Sequence, residues 1–450
     1  MNRSDLTGFI AKYCSSAAAK ILVAVSGGVD SVVLLHLLRD AVQDLDLRIE
    51  VVHMDHGIRP GSGQDAQFVK DLCGQWGVPC HLLSRNVTEL AQQNKTSLET
   101  AGRDARREAF TRLATEVGAN FIAFAHHRDD QVETFLMRLS RGSGLSGLAC
   151  MPEVQGLFWR PLLRYSRQQI LDYAQQHHLL WVEDSSNQDT VFTRNRVRQK
   201  LMPQIDAVNP LAREHIALTV QQLQAEEDYW QTTVSEAFEK ILEPCSDGLR
   251  MQRLKLIDLH PALRLRVYRE GLRRVRGDLQ RIESVHLQAI EAMLIGTKSQ
   301  QQVDLPGSWV ARRYNSLWFR TASPEPVQTF SQPVQLPGEI VLPGGRVLRA
   351  VVQEEQEGES QNTAEFDYGL LTQPLTVRLW QPGDRFAPLG MPGHKKLKRY
   401  FSDQQIELEE RSKTLILLHG ETILWVIGKR RSSHAVVDSK TAQILRLELI

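Results

Sequence analysis

Two groups of side chains have the types and spacing for chemistry, one at an anion and one at an amine. Ser26-Gly27-Gly28-Val29-Asp30-Ser31 places two hydroxyls, two glycines and a carboxylate in consecutive positions. Hydroxyls and free backbone N–H groups bind phosphate oxygens, and a carboxylate beside them suits Mg²⁺. Further along, Asp130 and Glu133 are one helical turn apart, so both carboxylates leave the same helix face. Paired carboxylates are what a primary ammonium group needs. Plainer readings stand beside both: a Gly-Gly turn can serve geometry alone, and acids in a first helical turn complement the dipole.

A phosphate loop needs a strand to deliver it and a helix to point N–H groups at the ligand. Residues 21–25 are an apolar, β-branched run suited to a strand buried on both faces, and residues 29–38 continue as an apolar helix. Residues 47–54, 78–83 and 121–125 repeat the strand pattern, alternating with helical patterns such as 97–117. The alternation predicts an α/β fold with a parallel sheet and helices on both faces, where ligands bind beyond the carboxyl ends of the strands. The polar clusters fall at those ends. His53, Asp55, His56 and Arg59 follow the second strand, and His126, His127, Asp129 and Asp130 follow the fourth. Within 97–117, Leu98, Ala101, Ala105, Ala109 and Leu113 form the expected buried stripe, with Arg103, Arg106 and Arg107 opposite. Residues 160–163 read as a short strand. Residues 194–200 read as a basic helix start, either solvated or gripping phosphates.

A chain of 450 residues predicts two to four domains, and a net charge of +1 leaves nucleic-acid binding to local patches. No apolar run reaches the length of a membrane span. The opening MNRSDLTGFIAKYC lacks the apolar core and cleavage site of a signal peptide, so a cytoplasmic protein with no membrane partner is expected. Five scattered cysteines form no CxxC pair, which argues against a disulfide framework or structural zinc. Residues 1–20 read as a leading helix. From 210 to 320 helical patterns prevail, and Arg264, Arg266, Arg269, Arg273, Arg274 and Arg276 are dense enough to favour an RNA-contacting face. Residues 321–335, with three prolines, read as a linker, and the remainder as a small β-rich domain. There Lys395, Lys398 and Arg399 share a helical face, with Leu397, Tyr400 and Phe401 left for the core.

SGGVDS resembles the SGGxDS signature of the PP-loop, or N-type, ATP pyrophosphatases; the GxxxxGK[ST] of kinases and GTPases is absent. With VHMDHGIR, ETAGRDARR, AHHRDDQVET, RGSGLSGL, RPLL and EDSSNQDTVFTRNRVR in this order, residues 21 to about 205 resemble the tRNA(Ile)-lysidine synthases. Departures are small: Ile58 stands where Leu is usual, and Cys150 where Gly is. The resemblance implies a Rossmann-like PP-loop ATPase domain over 1–209, a helical tRNA-contacting domain over 210–320, a linker over 321–335 and a β-rich tRNA-binding domain over 336–450.

It also implies the reaction. ATP and Mg²⁺ adenylylate the C2 oxygen of the wobble cytidine of an isoleucine tRNA with a CAU anticodon, and the ε-amine of L-lysine then displaces AMP. Ser26, Gly27, Gly28, Val29, Asp30, Ser31, His53 and His56 would bind the nucleotide, Asp30 also holding Mg²⁺. Asp30, Asp55, His127 and Arg106 take catalytic roles. Asp130, Glu133 and Arg107 take the lysine, and Arg194, Arg198, Lys395, Lys398 and Arg399 the tRNA; the family suggests a homodimer. Two other classes compete. A tRNA thiolase would share the ATP loop but needs reactive cysteines, and a non-catalytic RNA-binding protein would not need the loop and the carboxylates together.

Overall fold

In the computed structural model of the protein, residues 8, 19–42, 47–55, 62–183, 193–245, 247–321 and 329–450 are described. The expected leading helix and His56, Ile58 and Arg59 lie outside them. Two units are distinguished, Met1–Gln231 and Thr232–Ile450.

The first unit is organised around β1 (Ala19–Ala24), in which Ile21, Leu22 and Val23 are fully buried. It pairs in parallel with β2 (Leu47–Asp55) on one side and β4 (Phe121–Ala123) on the other. With β3 (Cys80–Ser84), β5 (Val154–Gln155) and β6 (Phe158–Trp159) the order is β3-β2-β1-β4-β6-β5, parallel except for the edge strand β5. Both faces are covered. Ile21 and Val23 pack with Val32, Val33 and Leu35 of α1 (Val29–Val42), while Leu22, Val52 and Ile122 pack with Phe110 of α4 (Leu98–Val117). Each such side chain stabilises by roughly 1.5–3 kcal/mol on burial. The order of the strands changes direction between β1 and β4, so the loops after these two strands open into one crevice.

Ser97 caps α4 by accepting from the Thr100 N–H, and Gly118 closes it at φ 69°. Ala101, Ala109 and Leu113 are buried as the spacing predicts, but Leu98 in the first turn is 40% exposed. Residues 160–163 are not a strand. The strand is Phe158–Trp159, and Pro161, which has no N–H for a ladder, lies in the turn that follows. Cys150 adopts φ 52°, the left-handed region that glycine occupies most readily, a physical reason for the family's preference at this position.

Residues 210–320 are largely helical as expected, and the second unit adds a sheet to them. Two helices, α8 (Pro261–Arg276) and α9 (Ser284–Ile295), share a core with an antiparallel sheet that includes Gln300–Leu305, Ser308–Arg313 and Ser316–Arg320. Ser308–Arg313 is buried along its whole length, so no alternation marks it in the sequence. Arg312 is accommodated because its Nη1 donates to the Gly296 carbonyl at the end of α9. Beyond, a five-stranded and a four-stranded antiparallel sheet enclose a core that includes Phe366, Leu417, Trp425 and Leu447.

The arginine row of α8 is largely spent on acids of the same unit. Arg264 is 8% exposed, donating from Nε and Nη2 to Glu291 and from Nη1 to the Ile257 and Leu259 carbonyls. Arg273 and Arg274 pair with Glu270, and Arg276 with Asp278. An RNA-contacting role for Arg264 therefore gives way to a structural one. Removing one partner of a buried pair costs about 3 kcal/mol, so Arg264→Ala is expected to unfold at lower urea with RNA affinity unchanged. Lost RNA affinity at unchanged stability would return Arg264 to the surface.

Candidate active site

The loop after β1 is built by hydrogen bonds within itself. Gly27 turns at φ 94°, a conformation that strains any side chain, and its carbonyl accepts the Val182 N–H at 2.9 Å. Ser31 Oγ donates to the Gly28 carbonyl at 2.8 Å and accepts the Ser26 N–H at 3.1 Å. The Ser26 and Ser31 hydroxyl oxygens are 3.3 Å apart, at the N-terminus of α1. Val29 is buried and supplies the loop with backbone rather than side chain. Two hydroxyls and a helix start aimed at one place form a site for phosphate oxygens.

Asp30 links this loop to the one after β4. Its Oδ1 is buried with no hydrogen-bond partner among the described residues, 3.9 Å from His127 Nε2. Burial pushes the carboxyl up, opposed by His127 and reinforced by Asp130. A carboxylate so placed fits a divalent cation that takes its other ligands from phosphates. Among the described residues no group of three or more His, Cys, Asp or Glu forms a self-sufficient metal site.

His127 precedes α5 (Arg128–Ser140), and its N–H donates to Asp130 Oδ2 at 2.9 Å. The ring is buried, with Nε2 3.6 Å from Asp130 and Nδ1 3.8 Å from Asp129. Asp130 and Glu133 both lie in the buried start of α5. Two guanidinium groups meet them. Arg194 donates from Nη2 to Asp130 and from Nε to Glu133, both at 2.8 Å. Arg198 donates from Nε at 2.6 Å and from Nη2 at 3.1 Å to the two oxygens of Glu133. Burial alone would raise the Asp130 carboxyl, but His127, Arg194, His126 and the His127 N–H hold it down to about 2. The structure thus places Arg194 and Arg198 on the carboxylates, where the sequence suggested phosphate contacts.

The other expected residues are more dispersed. His53 is buried, its Nδ1 2.9 Å from the Val25 carbonyl, so that nitrogen ties β2 to β1. Asp55 is half-buried at the end of β2. Arg106 is half-buried, and burial beside Arg103 pushes its guanidinium down. Arg107 lies over the Phe158 ring at 4.6 Å. A concavity of about 530 Å³ runs along α4, lined by Asp104, Arg107, Glu108 and Arg112, and holds none of the phosphate loop. In the second unit, Lys398 and Arg399 are exposed on α10 (Leu397–Asp403), whose Leu397, Tyr400 and Phe401 are buried. Lys395 is not on that helix. It belongs to a short ribbon with Arg385–Phe386 and pairs with Asp403 at 2.5 Å.

Asp129 was named only within the polar cluster after the fourth strand, and neither it nor Arg213 nor Arg160 was given a role by the sequence. Asp129 accepts the Arg167 N–H at 2.9 Å and Arg213 Nη1 at 2.6 Å, fixing α6 (Arg167–Gln176) and the start of α7 (Ala212–Ile241) to α5. Its only sequence signal is adjacency to Asp130.

Comparison with known proteins finds matches over most of the chain. A PP-loop domain matches residues 3–205, a TilS substrate binding domain 253–318 and a TilS substrate C-terminal domain 375–449. The chain is similar to a tRNA(Ile)-lysidine synthase of Geobacter sulfurreducens, 35% identical over 438 residues, 95% of this chain and 93% of the relative. It is also similar to one of Caldanaerobacter subterraneus subsp. tengcongensis, 32% identical over 436 residues, with the same shares of 95% and 93%. Among solved structures it is similar to a U34-tRNA thiolase of Methanococcus maripaludis, at 16% identity and TM-score 0.42, covering 50% of this chain and 78% of that one.

The depressed Asp130 carboxyl has a consequence for stability. A carboxyl whose folded value lies near 2, below the ordinary 3.8, stabilises fully above pH 4, and that stability is lost as pH falls through about 2. Asp130→Asn is therefore expected to be less stable at pH 7 by about 2 kcal/mol, with the deficit narrowing below pH 4 in urea titrations. A deficit that stays constant down to pH 3 would contradict the charged clamp.

Proposed function

Because this chain belongs to the tRNA(Ile)-lysidine synthase family, we propose that its 26–31 loop grips the pyrophosphate of ATP and that Asp130 and Glu133 receive the ε-ammonium of L-lysine. The chain is a ligase that uses ATP to form lysidine on an isoleucine tRNA. Lysine is joined to C2 of the cytidine at wobble position 34 of the CAU anticodon, AMP and pyrophosphate are released, and codon reading changes from AUG to AUA. The observation that carries the residue assignment is the continuity from Asp30 through His127 to Asp130, which sets an amine-binding pair against a phosphate loop.

Ser26, Ser31 and the N–H groups of Gly27, Gly28 and Val29 stabilise charge that builds on pyrophosphate as it leaves. Asp30 is the residue that would hold Mg²⁺, which when bound neutralises phosphate charge. The ammonium competes with Arg194 and Arg198 for the same carboxylate oxygens. Guanidinium groups displaced in this way become available to RNA phosphates, which reconciles the two readings of the 194–200 segment. His127, within 4 Å of Asp30, Asp129 and Asp130, is the group best placed to take the proton that the ammonium must lose before attack. Lys398 and Arg399 contact the tRNA backbone from the second unit. A cytoplasmic homodimer completes the reading.

The test is direct. With ATP, Mg²⁺, labelled L-lysine and an isoleucine tRNA bearing a CAU anticodon, label is expected in acid-precipitable RNA. Glu133→Gln is expected to raise the lysine KM by about 10- to 100-fold with tRNA affinity unchanged. An unchanged lysine KM would remove Glu133 from the amine site, and sulfur transfer in place of lysine would support a thiolase.

A further inference from the structure

Two of the five cysteines meet at the edge of the parallel sheet. Cys73 lies in the last turn of α2 (Ser62–Trp76) and is 1% exposed, while Cys80 opens the edge strand β3 and is half-buried. Between them the chain turns back tightly, with the Val78 N–H donating to the Cys73 carbonyl at 3.0 Å and Gly77 at φ 67°. The turn brings the two side chains into hydrogen-bond contact, the Cys73 thiol donating to the Cys80 sulfur. Both pack in the core on the α1 side of β1.

The two sulfurs are not equivalent. The hydrogen bond from Cys73 holds the Cys80 thiol below its ordinary value, against burial and with help from Lys70, one turn before Cys73 on α2. The same hydrogen bond, together with burial, pushes the Cys73 thiol up. A more acidic, partly exposed thiol in front of a buried one is the arrangement of an attacking and a resolving cysteine. The helix that carries Cys73 also supports the phosphate loop. A Cβ on Gly27 would lie 3.6 Å from both Phe68 Cδ1 and Val69 Cγ2, so α2 forms the wall against which that loop turns. Val69 and Cys73 are four positions apart on one face of α2, and both are buried. A shift at Cys73 therefore reaches the support of Gly27.

We propose that Cys73 and Cys80 form a reversible disulfide, with a low-molecular-weight disulfide as oxidant, and that the bond weakens nucleotide binding by shifting α2 against Gly27. The effect on the nucleotide rests on the pyrophosphate reading above; the thiol pair does not. The Cys80 thiolate attacks one sulfur of the oxidant and expels a thiolate, leaving a mixed disulfide on Cys80. The Cys73 thiol then gives its proton to water, attacks Cys80 Sγ and expels the second thiolate. Two protein thiols lose two electrons and two protons, and the oxidant is reduced to two thiols. A covalent bond holds the sulfurs closer than a hydrogen bond does, so the end of α2 is drawn toward β3.

The experiment oxidises the full chain with glutathione disulfide and follows tryptic peptide 71–85, which holds both cysteines, by mass spectrometry. That peptide is expected to become lighter by two hydrogens, to resist alkylation and to recover with dithiothreitol. Cys73→Ala is expected to stop at a mixed disulfide on Cys80, and Cys80→Ser to take up no glutathione in this peptide. In calorimetric titrations ATP is expected to bind oxidised wild type about 10-fold more weakly than reduced, the worth of one lost packing contact, with Cys80→Ser indifferent to the oxidant. A peptide that stays fully open to alkylation would overturn the proposal, and so would a disulfide that leaves ATP affinity unchanged. A reduced wild type that binds no ATP would overturn the pyrophosphate reading and the coupling with it, while the peptide result would still decide the thiol pair.

Discussion

Two carboxylates buried at the start of a helix have to be compensated, and the first unit is arranged around that requirement. Asp130 and Glu133 obtain four charge-assisted hydrogen bonds from Arg194 and Arg198. Breaking one side of such a pair costs several kcal/mol, because the charge left behind remains out of water. Asp129 does the same for the outer side of the turn, tying α6 and α7 to α5 through Arg167 and Arg213. The compensation is made with groups that the ammonium would replace in the proposed function, whereas an apolar filling of the same space could not exchange.

The sheet explains why these charges stand beside the loop proposed to hold the nucleotide. β1 and β4 are neighbours at the point where strand order changes direction, so the glycine loop after one and the His127 turn after the other converge without long insertions. Hydrogen bonds fix the loop before any ligand arrives, from Ser31 Oγ to Gly28 and from the Val182 N–H to Gly27. A preorganised loop has little reorganisation left to do as charge develops on pyrophosphate.

What was legible in the sequence was local. The run before Ser26 is apolar because β1 is buried on both faces, and Gly27 is marked by its positive φ. Ser97 announced α4 by capping it. Interactions between distant segments were not legible. Arg194 meets Glu133 across 61 positions, and nothing in either string names the other. A basic run therefore looked like a phosphate grip, and the arginines of α8 looked like a surface until Glu291, Glu270 and Asp278 were seen beside them. Ser308–Arg313 was hidden because two buried arginines interrupt a strand that has no solvent face. Arg160 was taken for part of a strand, and its burial emerges only in three dimensions.

Competition between Arg194 and an ammonium for one pair of carboxylates is the claim on which the rest turns. Calorimetric titration of L-lysine into the full chain, without tRNA, measures it when wild type is compared with Arg194→Met. Removing the internal competitor is expected to tighten lysine binding by about 10-fold, the worth of one charge-assisted contact. Unchanged or weaker binding in the variant would show that Asp130 and Glu133 serve the fold and that the amine is held elsewhere.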